Sequence, residues 1–439
     1  MFIRRKEILP GVFLNTLQTD KFKSDCLSVS LLTALDRETV SKNALLPRVL
    51  ARGTVRCPDL DALAAACDEL YGVQIIPAVR KKGEILSVGF YAGFLADRFT
   101  PDHSRLLEPV AALLGELLLS PVTKGGLLRR DYVESEKEKL IDDIRGRVND
   151  KGSYAVFRLV EQMCACEAFG CDDMGSEEDA ASVGYVELTR WYQELLRTAP
   201  VEVFYCGGAD ETRVTNAVRE ALTTLPRGEI DYDIGTDIRI NTVEEEPRFF
   251  EETMNVGQGK LCLGFRLGDC MDTELPNIPA IRVFNALYGG SVTSKLFLNV
   301  REKLSLCYYA GSSCGVHKGI MLVSSGIDAD NLHAAKREIL AQLDLVRESD
   351  FTEEDLHAAR KSVASDYRSM TDSPGALEDF YQSQTLLGLS WSPVELAALC
   401  EEVTKEDVVN VAKGIALDAV YFLHGGDADE EGDDADAEA

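Results

Sequence analysis

Asp25-Cys26-Leu27-Ser28-Val29-Ser30-Leu31 and Leu261-Cys262-Leu263-Gly264-Phe265-Arg266-Leu267 are two apolar-rich segments with strand character, and their cysteines lie 236 positions apart. Further along, residues 73–80 and 85–91 flank a Lys81-Lys82-Gly83-Glu84 turn, while residues 306–316 and 320–327 flank His317-Lys318-Gly319. Lys82 and Lys318 are again 236 apart. Two features recurring at one offset predict a duplicated domain of about 200 residues. Each half reads as strand, helix, hairpin and a long helical stretch. The helical stretches cover 106–119 and 130–147 in the first half, and 331–347 and 353–370 in the second. That order predicts an α+β fold of two homologous domains, each an antiparallel-rich sheet packed with helices. The expected division is 1–227, an acidic linker at 228–252, 253–425, and an acidic tail at 426–439.

Length agrees with duplication, because a chain of 439 residues exceeds what one hydrophobic core supports. With 45% hydrophobic and 27% charged residues the body reads as an ordinary folded protein, not a disordered one. The formal net charge is -28. Such a surface repels phosphates, so nucleic acid is not an expected partner. Eight acidic residues and no basic ones lie in 427–438, which predicts a solvated tail. The N-terminal stretch has Arg4, Arg5 and Lys6 but no apolar core of a signal peptide, and no run is long enough to span a membrane. A cytoplasmic protein with no membrane association is expected.

Twelve cysteines in such a chain are expected to be reduced, small, buried side chains. Cys164, Cys166 and Cys171 lack paired C-x-x-C spacing and a nearby histidine, so no metal site is expected there. The histidines are His103, His317, His333, His357 and His424, and no two stand three or four apart as a helical ligand pair would. His317 reads as an exposed turn residue, and His333 and His357 as members of polar helix faces. No G-x-S-x-G elbow or cysteine–histidine motif supports covalent hydrolysis.

The most specific motif is Gly289-Gly290-Ser291-Val292-Thr293-Ser294-Lys295-Leu296-Phe297, followed by Val300-Arg301-Glu302-Lys303 and Leu306-Cys307-Tyr308. Its glycines lack the Gly-Lys-Ser/Thr ending of a phosphate loop. It resembles the second-domain signature of M16 metallopeptidases, the pitrilysin and insulinase type. That family's first domain carries a zinc-binding H-x-x-E-H helix running into Arg-Gly-Thr or Lys-Gly-Thr. Here Arg52-Gly53-Thr54 anchors the register, and Ala44 and Arg48 stand where the histidines belong, with Pro47 in place of the glutamate. Zinc hydrolysis needs about three protein ligands and a base for the bound water. Alanine cannot ligate, proline cannot take a proton, and arginine repels a cation. The family's third ligand lies in a pattern matched by Glu136-Lys137 and Asp143, and one carboxylate alone cannot hold zinc.

The resemblance therefore implies an inactive subunit like those of the heterodimeric bacterial members. Such a chain has no catalytic residues, metal or cofactor of its own. Its partner would be a zinc-bearing M16 homologue with intact H-x-x-E-H, and its ligand a peptide substrate. By position, Arg301 and Tyr308 would hold the substrate backbone in the partner's site. The stretch Asn149-Asp150-Lys151-Gly152-Ser153-Tyr154-Ala155 further resembles an inactive subfamily associated with 5-aminopentanol modification of elongation factor P, which by itself implies no modification activity. Two other readings stand beside this one. The chain could be a scaffold of the same fold, with Arg301 paired to Glu302 and Tyr308 filling a strand face. It could instead be an autonomous metallopeptidase with a different site.

Overall fold

The computed structural model describes residues 3–239, 243–271 and 277–425, so the acidic tail lies outside the described residues. The first half begins with strands β1 (Ile3–Leu9), β2 (Val12–Gln18) and β3 (Ser24–Ala34), followed by helices α1 (Val40–Leu50) and α2 (Leu60–Glu69). The hairpin of β4 (Gln74–Lys82) and β5 (Ile85–Leu95) leads to α3 (Leu107–Leu119), a short ladder of β6 (Thr123–Lys124) and β7 (Leu127–Leu128), and α4 (Arg130–Gly146). Then come α5 (Lys151–Met163), α6 (Glu177–Ser182), α7 (Tyr185–Thr198), β8 (Val201–Gly207) and α8 (Glu211–Ala221).

The second half starts with β9 (Arg248–Thr253) and β10 (Gly259–Arg266), then α9 (Ile278–Asn285) and two wide π-helical turns, Ala286–Gly290 and Leu296–Lys303. The hairpin of β11 (Tyr309–Gly315) and β12 (Ile320–Ile327) precedes α10 (Leu332–Arg347), α11 (Glu353–Met370), α12 (Pro374–Leu386), α13 (Pro393–Glu402), α14 (Lys405–Gly414) and β13 (Ala416–His424). The acidic stretch expected to link the halves thus ends inside a strand, because residues 248–253 pair with β13.

Duplication is visible in the wiring. The six-stranded sheet runs β1-β2-β8-β3-β5-β4 and the five-stranded sheet runs β9-β13-β10-β12-β11. Each central strand, β3 or β10, lies antiparallel between a hairpin strand and the last strand of its sheet. That last strand, β8 or β13, takes a parallel neighbour, β2 or β9. The hairpins differ at their tips. Lys82 pairs with Ile85 across a two-residue turn, where Gly83 adopts a φ of 61° that favours glycine. Gly315 pairs with Ile320, which leaves a longer loop containing His317 and Lys318. His317 is half-buried and Lys318 buried, so this turn is less exposed than the sequence reading expected.

The chain forms two compact units that are not its two contiguous halves. Among the described residues, the first gathers 3–146, Cys166–Asp237 and Ala364–Ala398, and the second Arg147–Ala165, 238–239, 243–271, 277–363 and 399–425. Helix α5 therefore belongs to the second unit and α12 to the first, which departs from the expected 1–227 and 253–425 division. The cause lies in the central strands. Side chains alternate along a strand, so one face of β3 presents Leu27, Val29 and Leu31 to the core with Leu45, Leu113 and Leu117. The other face, carrying Ser28 and Ser30, is also buried and needs a cover. Helix α12 supplies it: the Ser28 hydroxyl donates to Glu378 (2.8 Å), and the Gln382 amide donates to Ser30 (3.2 Å) and Ser87 (2.8 Å). In the second unit α5 plays the same part on β10, with Leu159 and Met163 over Gly264.

Candidate functional site

The residues that the sequence resemblance sets against the family's zinc motif lie on α1 and α4. Ala44 and Pro47 are buried on α1, and Pro47 has no N–H to give the Asn43 carbonyl. Arg48 is half-buried, and its guanidinium Nη1 stands 2.6 Å from Asp143 Oδ2 on α4. One turn on, Arg52 Nη1 lies 2.9 Å from Glu136 Oε1, which also accepts from Lys139 at 2.7 Å. The Arg52 guanidinium lies over the Tyr132 ring at 4.8 Å. The sequence-predicted residues Ala44, Pro47, Arg48 and Asp143 are thus together, and what they build is an ion pair in place of a ligand set. A zinc ion does not fit here: two positions offer no donor, and the remaining carboxylate already faces a permanent cation. Among the described residues no group of three or more His, Cys, Asp or Glu side chains is arranged to hold a metal. All twelve cysteines are free thiols, with Cys164 and Cys171 buried and Cys166 exposed.

Arg301 and Tyr308 lie in the second unit and are brought together. Both line an open cavity of about 400 Å³ with Glu302, Ser305, Leu306, Cys307 and Asp328. The local chain explains the placement. A Cβ on Gly289 would meet Ser312 Oγ at 2.6 Å, and one on Gly290 would meet Asn285 Nδ2 at 2.4 Å. The paired glycines therefore serve close packing of the first π turn, not a phosphate. Ser294, fully buried, accepts from the Phe297 N–H at 3.3 Å and starts the second π turn. π turns widen the helix and recur at functional sites. This one ends at Lys303, after which Ser305 takes a left-handed φ of 50° and reverses the chain. Tyr308 then joins β12 through its N–H to Gly326 (2.8 Å).

The side chains are available to a ligand. Arg301 is 41% exposed, stands over the Phe297 ring at 4.8 Å and, among the described residues, has a carboxylate near it only at 3.5 Å, that of Glu302. Tyr308 is 59% exposed, so it does not fill a strand face. Its hydroxyl donates to Asp328 Oδ1 at 3.1 Å, and this bond to a carboxylate holds its pKa above the ordinary phenol value. Sequence reading missed Asp328, and it quoted Phe297 within the motif without giving it a role. The one available signal for Asp328 was its position directly after the last residue of β12, where a strand end presents a side chain to a cleft.

The Peptidase M16 inactive domain pattern matches residues 182–363. Over 417 residues the chain is 32% identical to “Probable inactive metalloprotease YmfF” of Bacillus subtilis, covering 94% of this chain and 96% of that protein. The chain belongs to the M16 peptidase family. Two solved structures share the fold. A conserved protein from Enterococcus faecalis V583 aligns with a TM-score of 0.87 at 26% identity, covering 97% and 99% of the two chains. A peptidase M16 inactive domain from Pseudomonas fluorescens aligns at 0.77 and 15%, covering 97% and 99%. This M16 chain is an inactive-type homologue. No helix among the described residues is long and apolar enough to cross a membrane.

Proposed function

We propose that this M16 homologue is the non-catalytic member of a peptidase pair. A zinc-bearing homologue with intact H-x-x-E-H supplies the metal and the general base, and this chain supplies Arg301 and Tyr308 to hold a peptide substrate. The observation that carries the reading is the shared cavity in which an under-partnered guanidinium and an exposed phenol stand together. Both can donate hydrogen bonds to a peptide carbonyl oxygen as negative charge develops on it. Tyr308 must release its bond to Asp328, or share it, to do so.

The test is co-purification with such a homologue, followed by peptide hydrolysis. The wild-type pair should cleave. Pairs carrying Arg301→Ala or Tyr308→Phe should lose about ten- to hundredfold in kcat/KM, about 1.4–2.7 kcal/mol of transition-state stabilisation. Unchanged rates would overturn the proposal in favour of a scaffold of the same fold. Stoichiometric zinc with peptide turnover by this chain alone would overturn it in favour of an autonomous enzyme.

A further inference from the structure

The duplicated sheets differ at one edge. In the first, β2 is flanked on its outer side by β1, which pairs antiparallel with it. In the second, β9 occupies the corresponding place, parallel to β13, and among the described residues no strand lies outside it. The correspondence can be followed residue by residue. Cys26 opposes Cys206, which opposes Leu17, which opposes Ile3. Cys262 opposes Tyr421, which opposes Phe250, and there the ladder ends. An edge strand presents a row of backbone donors and acceptors that another strand can complete.

The surroundings of this edge give the occupant's chemistry. Glu244, Glu245 and Glu246 lead into β9 and are exposed, as is Glu251 on the strand itself. Phe249 is 47% exposed, with Lys336 Nζ 5.9 Å from its ring centre, and His424 Nε2 lies 3.0 Å from Glu251. Four exposed carboxylates stand beside one ammonium, one imidazole and the Arg248 guanidinium, which the buried Asp418 neutralises at 2.5 Å, and this makes the edge acidic. The first sheet shows how such an edge is closed. Its capping strand carries Arg4, Arg5 and Lys6, and Arg5 pairs with Glu202 at 2.5 Å while lying over the Phe13 ring at 3.9 Å.

We propose that the outer edge of β9 is a docking site for an extended basic segment of a partner polypeptide, added antiparallel as a sixth strand in the way β1 caps β2. Backbone hydrogen bonds give the pairing, and arginine or lysine side chains opposite Glu244–Glu246 and Glu251 select the segment. The inference rests on β9 and its neighbours and stands whether or not Arg301 and Tyr308 serve a substrate.

The experiment is amide hydrogen exchange on the full chain with a synthetic peptide, Ile-Arg-Arg-Lys-Glu-Ile-Leu, as the probe strand. Exchange of residues 248–253 should slow about tenfold or more at saturation, whereas 12–18 should not change. The same peptide N-methylated at alternate residues keeps its charge but cannot pair, and should leave 248–253 unprotected. In the chain, Glu244→Lys with Glu245→Lys and Glu246→Lys changes only exposed residues ahead of the strand, and should weaken the peptide's Kd about tenfold. Absence of protection at 248–253 would overturn the proposal. So would equal protection by the methylated peptide, which means charge adhesion without strand pairing, or protection confined to 12–18, which means displacement of β1.

Discussion

The two central strands have matching positions filled by different chemistry. Ser28 and Ser30 of β3 correspond, at the 236-residue offset, to Gly264 and Arg266 of β10. On β3 the covering helix α12 is seated through polar groups. Glu378 is buried, accepts from Ser28, and lies 2.5 Å from Arg80 Nη1. On β10 the covering helix α5 is seated through apolar groups, and a Cβ at Gly264 would meet Met163 Sδ at 2.5 Å. There the charge is moved to the strand's end, where the buried Arg266 Nε stands 2.8 Å from Asp418. One wiring diagram thus tolerates opposite seats. What it requires is that the second face of the central strand be covered and that the strand's own polar side chains there find partners.

Cutting into the apolar seat should have the largest effect. Leu159→Ala removes a fully buried side chain from α5 and should cost about 2–5 kcal/mol in urea unfolding, read through exchange of β10 and β13 amides. On the polar seat, Glu378→Ala should cost about 3 kcal/mol, because Arg80 keeps partial access to water while Ser28 and Arg80 lose their acceptor. Arg80→Met with Glu378→Leu should cost much less than that single change, since both charges leave together. If the double variant were as unstable as Glu378→Ala, the ion pair would not be the feature that seats the helix.

Acid should separate the units in a smaller but signed way. In the first, burial raises the pKa of Asp25 above its ordinary value, against the lowering bond from Tyr205, and burial likewise raises Glu202 despite Arg5. Such groups take up protons in the folded state first, so acidification through that window favours folding. In the second unit burial pushes Glu252 up, but the hydroxyls of Tyr421 and Tyr154 and the Arg158 guanidinium outweigh it and leave its pKa lowered. Its stabilisation is present above the unfolded carboxyl pKa and is lost as pH falls through the folded value. Between about pH 5 and 3, exchange should therefore rise earlier around β9 and β13 than around β3 and β8. Glu252→Gln should flatten the dependence in the second unit, and Asp25→Asn should weaken the opposing trend in the first, leaving the part that Glu202 carries.

The smallest effect belongs to the ion pair between α1 and α4. Arg48 and Asp143 are both partly exposed, so Arg48→Ala should shift stability by only about 0–1 kcal/mol in urea unfolding. A larger loss would mean that this pair had become a structural fastening of α1 to α4.

Much of this was legible in the residues alone. The repeat around Cys26 and Cys262, both hairpins, and helices α3, α4, α10 and α11 follow from local periodicity, because alternation and 3.6-residue spacing report that a face is buried. That Ala44, Pro47 and Arg48 cannot ligate zinc or activate its water follows from side-chain chemistry, which no fold can alter. Periodicity does not say which distant segment covers a buried face. Ser28 and Ser30 are the seat of α12, which nothing in the strand itself announces, and α5 joined the second sheet although it stands in the first half. Nor could the sequence place Arg48 against Asp143, or Tyr308 against Asp328, since those pairings depend on where separate elements meet in space. Residue identity decided what the chain lacks. The tertiary structure decided which groups fill the gap, because packing sets distances between side chains that the chain order leaves free.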